Sequence, residues 1–184
     1  MPMNTANAIT IFRIVLVLPI TLLLIDNIFN WAVGLFLVAA ISDIADGFIA
    51  RNFNQKTKIG AILDPLADKL LLNYTFLVLT IKGFIPLFLL SVVLFKDLTL
   101  ITGSVIEVLN SPNINKIKIK ASIWGKVSTF FQVVVIIFVF LRIFNIYINI
   151  HLFKAIVYIT SILVIIALFD YINKYRERIK EGFK

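Results

Sequence analysis

The stretch SDIADGFIARNFNQKTKIGAILDPLADK, residues 42–69, decides how the rest of the chain is read. It carries four carboxylates, Asp43, Asp46, Asp64 and Asp68, inside a sequence that is otherwise strongly apolar. Asp43 and Asp46 are three residues apart, and Asp64 and Asp68 are four apart. In a helix both spacings put a pair on one face. Gly60, Asp64 and Asp68 form one such stripe, and Asp43, Gly47 and Ala50 form another. Two antiparallel helices joined by a short loop can turn these stripes toward each other.

The energetics say what such a cluster needs. An aspartate well inside a membrane helix costs roughly 2.5–3.5 kcal/mol. Four at full depth would cost on the order of 10 kcal/mol, and less near the interface. Arg51 is one cation and cannot neutralise four carboxylates, so bound cations, protons or basic residues elsewhere must contribute. Salt bridging between helices does not suffice, because few basic residues lie at the right depth. A site of carboxylate oxygens suits hard ions such as Mg²⁺, Mn²⁺ or Ca²⁺ rather than zinc. Gly47 inside a helix costs about 1 kcal/mol relative to alanine. With Ala50 it leaves a shallow groove in which a flat base or a sugar can approach the backbone; close packing of small residues is the structural alternative. Arg51, at the rim, can hold a phosphate through its guanidinium fork.

Working outward, the 184 residues are 60% hydrophobic with mean hydropathy +1.00, whereas a soluble chain is about half apolar. Six apolar runs of roughly 18 residues or more can each cross a ~30 Å hydrocarbon layer. The pattern predicts an all-α, polytopic membrane protein, with one membrane domain over 1–184. Its six transmembrane helices are predicted over about 6–25, 31–51, 60–81, 84–107, 120–144 and 150–172. Turn residues separate them: Asp26-Asn27, residues 52–58, Lys82-Gly83, residues 110–120 and residues 145–149. The first run lacks a basic leader and a small-residue cleavage site, and is read as a mature helix. With no cysteine, disulfides, thiolate metal sites and a cysteine nucleophile are excluded.

A formal charge of +8 could point to nucleic acid, but in a membrane chain the placement of charge is the better guide. Arg51, Lys56 and Lys58 follow helix 2. Lys116, Lys118, Lys120 and Lys126 follow helix 4, and Lys174, Arg176, Arg178, Lys180 and Lys184 fill the tail. The alternate connections carry only Lys82, Arg142 and Lys154. This asymmetry predicts a protein of the inner (cytoplasmic) membrane with both termini and the carboxylates facing the cytoplasm, and no nucleic-acid partner. The basic tail reads as an anchor to anionic lipid.

The pattern D-x2-D-G-x2-A-R-x8-G-x3-D-x3-D is matched in full by Asp43, Asp46, Gly47, Ala50, Arg51, Gly60, Asp64 and Asp68. It resembles the CDP-alcohol phosphotransferase family of membrane phospholipid synthases, as do the chain length and helix number. The resemblance implies a homodimer with two divalent ions, Mg²⁺ or Mn²⁺, at the cytoplasmic side. It implies Asp43, Asp46 and Asp64 as metal ligands, and Asp68 as both ligand and general base. Gly47, Ala50 and Gly60 would line the cytidine pocket, with Arg51 near the diphosphate.

The resemblance extends beyond the central stretch. Asn7, Thr10 and Arg13 are similar to the family's N-x-x-T-x-x-R signature, with Ala6 where a proline usually precedes it. Asn7 and Thr10 are expected at the donor phosphates; N-capping is their structural alternative. Lys96-Asp97, an intramembrane charge pair, is a functional candidate. It resembles an Arg–acid pair in the members that use glycerol 3-phosphate or phosphatidylglycerol as acceptor. Lys126, Thr129 and Gln132, expected on nearly one face, resemble the G-K-x-x-T-x-x-Q segment of the same members. Lys126 and Lys96 are therefore expected at the acceptor.

The implied reaction transfers a phosphatidyl group from CDP-diacylglycerol to glycerol 3-phosphate and releases CMP. Ser104 stands near where many such members have arginine, which keeps phosphatidylglycerol as the alternative acceptor. A divalent-cation transporter would explain the carboxylates but not the groove, Arg51 or the placement at one end, since transport sites lie near the midplane.

Overall fold

In a lipid interior every backbone amide must find a partner within its own segment, and long apolar runs therefore fold as helices. A computed structural model describes the backbone of residues 5–53, 58–110 and 122–180, and the side chains of 11–42, 69–103, 105–106 and 122–177. Six helices account for nearly all of it: α1 (Thr5–Ile25), α2 (Phe29–Phe53), α3 (Lys58–Ile81), α4 (Leu87–Asn110), α5 (Ile123–Ile143) and α6 (Ile150–Lys180). No strand occurs among the described residues.

The bounds differ from the sequence expectation where local chemistry decides. Helix α4 begins at Leu87 rather than 84, because Pro86 disfavours helical geometry at Ile85. Helix α5 begins at Ile123, where Ser122 caps it by accepting a hydrogen bond from the Gly125 amide at 3.3 Å. Helix α6 runs to Lys180 rather than 172. Its charged end is made of good helix formers, and Lys174 reaches back one turn to Asp170 at 2.8 Å.

Each odd-numbered helix is followed by a residue in the left-handed region: Asn27 (φ 62°), Gly83 (φ 77°) and Asn145 (φ 59°). Asparagine and glycine tolerate that geometry best. After α1, the Ile28 amide donates to the Leu23 carbonyl at 2.9 Å and the Asn27 amide to Leu24 at 3.3 Å. The same double closure ends α5, with Ile146 to Leu141 and Asn145 to Arg142, each at 3.0 Å. These bonds satisfy carbonyls that a helix end would otherwise leave open.

Among the described residues, two helices, at Ile123–Ile143 and Ile150–Glu177, are long and apolar enough to cross a membrane. Shorter apolar stretches lie at Ile11–Ile25, Phe29–Ser42 and Lys69–Ile81. Large apolar side chains such as Leu18, Trp31, Ile41, Leu98, Tyr158 and Phe169 lie on the outside, while Arg13, Lys96, Asp97 and Gln132 lie within. That distribution suits a lipid solvent, since water would leave so much exposed apolar surface uncompensated. Several helix hydroxyls are satisfied locally: Thr21, Thr75, Thr160 and Ser161 each donate to the carbonyl four residues earlier, at 2.7–2.8 Å.

Packing divides the chain into two units, Met1–Ile81 and Lys82–Lys184. In the first, α1 packs against both α2 and α3. Its core is built from Ile20 and Leu24 of α1, Phe36 and Ala39 of α2, and Phe76 and Leu79 of α3. In the second, α6 packs against α4 and α5. Phe88 stacks on Tyr158 at 6.1 Å near one end, and Gly103 faces Tyr175 near the other, so α4 and α6 run parallel. Helix α5 runs antiparallel to α6. Arg142, near its end, lies 4.9 Å above the Phe153 ring, and Ser122, at its start, meets Asp170.

Candidate active site

The first unit carries every residue of the central motif. Asp43, Asp46, Gly47, Ala50 and Arg51 fall in the last three turns of α2, and Gly60, Asp64 and Asp68 in the first three turns of α3. Asn7 and Thr10 fall in the first two turns of α1. All ten are helical, so the expected spacings translate into turns. At ~1.5 Å rise per residue, Asp43 and Asp46 sit about 4.5 Å apart along α2, and Asp64 and Asp68 about 6 Å apart along α3. The side chains of these ten lie outside the described residues, and so does the expected meeting of the two carboxylate pairs. Among the described residues no group of three or more His, Cys, Asp or Glu could hold a metal.

Two cations in this unit had no role assigned from sequence: Arg13, quoted there only as part of the N-x-x-T-x-x-R signature, and Lys69. Arg13 on α1 is 3% exposed and Lys69 on α3 is 8% exposed. A buried charge is costly unless it is compensated. Besides the four aspartates, the unit's one other acidic residue is Asp26, which is exposed and at the far end of α1. From Arg13 to Asp26 is about 20 Å along the axis at ~1.5 Å per residue. The unit's remaining carboxylates are those of Asp43, Asp46, Asp64 and Asp68, whose side chains lie outside the described residues. Arg13 and Lys69 are thus two buried cations in the unit that carries the four aspartates. The signals were present, since Arg13 sits in an apolar run one turn after Thr10 and Lys69 directly follows Asp68.

The second unit carries the residues expected at an acceptor. Lys96 and Asp97 are both fully enclosed, and the Lys96 ammonium lies 3.0 Å from the Asp97 carboxylate. Lys126 is exposed in the first turn of α5, where its amide donates to the Ser122 carbonyl at 3.1 Å. Thr129 is half-buried and donates to the Gly125 carbonyl at 3.0 Å. Gln132 is wholly buried, and neither polar atom of its amide has a hydrogen-bond partner. The expected single face is thus a spiral that starts outside at Lys126 and ends in the core at Gln132.

Comparison with known proteins bears on what this arrangement does. A family model described as CDP-alcohol phosphatidyltransferase matches residues 3–172. CDP-diacylglycerol–glycerol-3-phosphate 3-phosphatidyltransferase of Aquifex aeolicus is 32% identical over 187 residues, covering 99% of this chain and 97% of that protein. Cardiolipin synthase (CMP-forming) of Homo sapiens is 39% identical over 103 residues, 55% of this chain. The matched stretch spans only 34% of that human relative's length. A probable phosphatidylglycerophosphate synthase of Mycobacterium tuberculosis is 34% identical over 142 residues, 72% of this chain and 64% of its own.

Proposed function

Because the chain belongs to the CDP-alcohol phosphatidyltransferase family, we propose that it transfers the phosphatidyl group of CDP-diacylglycerol to glycerol 3-phosphate, releasing CMP. The observation that carries this reading is coverage. The Aquifex relative, named for glycerol 3-phosphate, aligns over 99% of this chain and 97% of its own length. A second reading, phosphatidylglycerol as acceptor, is supported by the cardiolipin synthases among the relatives, which are up to 39% identical over 103 residues.

The donor set fits hard divalent ions, since four carboxylates on two helices of one unit supply oxygen ligands alone. Asp43, Asp46, Asp64 and Asp68 would hold two Mg²⁺ or Mn²⁺ ions, which when bound would offset charge on the diphosphate and on the departing CMP. Gly47, Ala50 and Gly60 line the cytidine pocket, where the lack of bulk lets the ring approach the backbone. Arg51, Asn7 and Thr10 hold the donor phosphates. Arg13 and Lys69 reduce the mutual repulsion of the carboxylates from inside the unit.

Asp68 accepts the proton of the acceptor hydroxyl as that oxygen bonds to the lipid-side phosphorus, and the bond from that phosphorus to CMP breaks. Lys126 holds the acceptor's phosphate, with the Lys96–Asp97 pair behind it on α4. Most of the acceleration comes from placing donor and acceptor in line and from fixed charge. We place the six helices across the inner membrane as one domain, with the motif and both termini at the cytoplasmic face and the protein a homodimer. The donor's acyl chains then stay in the bilayer, and the basic end of α6 meets anionic headgroups.

The test uses purified protein, CDP-diacylglycerol and Mn²⁺ or Mg²⁺, with glycerol 3-phosphate or phosphatidylglycerol as sole acceptor. CMP release with glycerol 3-phosphate is expected. Release with phosphatidylglycerol alone would transfer the assignment to the second reading, and no release with either would refute both.

A further inference from the structure

We infer that Asp170 and Tyr171 of α6 are positioning residues for the acceptor, holding the first turn of α5 so that Lys126 stays in one place. The inference rests on the acceptor role proposed for Lys126.

The start of a helix is where backbone groups lack intrahelical partners and where the chain frays. Lys126 lies in that first turn and is exposed. On its own helix, the Lys126 amide donates to the Ser122 carbonyl at 3.1 Å. The fixing comes from α6. Ser122, only 1% exposed, caps α5, and its hydroxyl donates to the Asp170 carboxylate. Lys174, one turn further along α6, donates to the same carboxylate oxygen at 2.8 Å. The carboxylate is thus held from both sides. Its charge is also matched by Lys174, so it does not cancel the pull of Lys126 on an anionic acceptor.

The neighbouring contact sets the distance between the helices. Gly125 immediately precedes Lys126. A Cβ built on it would lie 2.8 Å from the Tyr171 ring carbon that bears the hydroxyl, and would overlap the hydroxyl itself. The end of the tyrosine therefore rests on the α5 backbone, at a place only glycine leaves open. One turn later on α6, Tyr175 packs at an ordinary 3.6 Å over the Cβ position of Gly103 on α4. Ser128 and Thr129 both direct their hydroxyls to the Gly125 carbonyl, at 2.9 and 3.0 Å. Capping alone asks for Ser122 and nothing more. A carboxylate and a phenol brought by another helix to the two residues on either side of Ile123-Trp124 do more than cap: they fix both the rotation and the spacing of the turn that presents Lys126.

The experiment measures initial rates of the full-length protein with glycerol 3-phosphate and CDP-diacylglycerol varied separately. Lys126→Met is the benchmark and is expected to raise the acceptor KM about tenfold or more. Ser122→Ala and Asp170→Ala are each expected to raise the acceptor KM roughly threefold to tenfold through misplacement, with the donor KM within about twofold. Their combination should be no worse than the worse single change, since both break one contact. Asp170→Asn keeps an acceptor oxygen for Ser122 and should restore most of the loss. Gly125→Ala should raise the acceptor KM as well, and Tyr171→Phe, which removes the overlapping hydroxyl, should recover part of it.

If Lys126→Met raises the acceptor KM while Ser122→Ala and Asp170→Ala leave it unchanged, the positioning role is wrong and the acceptor role of Lys126 stands. If Lys126→Met itself has no effect, the acceptor assignment falls and the inference with it. Equal rises in both KM values, or a loss of kcat alone, would mark the contacts as structural only and overturn the proposal. Should Asp170→Ala fail to fold, Ser122→Ala and the Gly125→Ala/Tyr171→Phe pair decide by the same criteria.

Discussion

Removing the Lys96 ammonium gives the most direct measure of what the interior of the second unit costs. Lys96 and Asp97 are each about 1% exposed at the side chain and 3.0 Å apart. In Lys96→Met the stem is kept and the charge is lost, so Asp97 remains enclosed without the ammonium beside it. Breaking a buried pair from one side costs about 3–5 kcal/mol, mostly because the remaining charge stays in a poor solvent. For a chain of this length that corresponds to a fall of roughly 6–20 °C in melting temperature. Asp97→Leu should lose a similar amount. The double change Lys96→Met/Asp97→Leu should lose far less than the sum, because neither charge is then left in the interior. The assay is thermal or denaturant unfolding of the purified protein in one detergent. Single variants within about 1 kcal/mol of the parent, or a double variant as poor as the sum, would refute the claim that the pair is held by mutual neutralisation. The stable double variant then reports on function: a raised acceptor KM in it would support the assignment of Lys96 to the acceptor side.

Three further outcomes are expected. Asp68→Asn should abolish turnover while CDP-diacylglycerol still binds, measured by calorimetry beside the rate assay; wild-type rates would remove the general-base assignment. Lys69→Met takes a buried positive charge from the unit that holds the four aspartates, so Mn²⁺ should bind more tightly by titration calorimetry; unchanged or weaker binding would mean that Lys69 is compensated elsewhere. Gln132→Leu replaces a wholly enclosed amide without hydrogen-bond partners. It should raise stability by about 1–3 kcal/mol, read from unfolding midpoints, and a loss there would show that the amide is satisfied in the folded protein.

Several details of the fold were open to reading and some were not. The turns at Asn27, Gly83 and Asn145 follow from residue types that accept a left-handed backbone. The start of α4 after Pro86 and of α5 after Ser122 were also available from local chemistry, as proline and serine act on their immediate neighbours. The extra length of α6 was harder to see. Hydropathy ends at the charged residues, whereas the helix continues through them by propensity and by the Asp170–Lys174 contact. On α5, helical periodicity placed Lys126, Thr129 and Gln132 near one another but could not say which faces outward. That depends on where α6 lies.

What the amino-acid order determined by itself is the helical class, the tight turns and the motif that identifies the family. Each follows from interactions between residues a few positions apart or from the solvent the chain requires. Only the tertiary structure decided that Arg13 and Lys69 are enclosed with the carboxylate-bearing helices, that Gln132 is buried while Lys126 is not, and that Asp170 and Tyr171 reach Ser122 and Gly125 across 46–48 residues of chain. Burial and contacts between distant residues depend on which helix faces cover one another, and local periodicity leaves that rotation free.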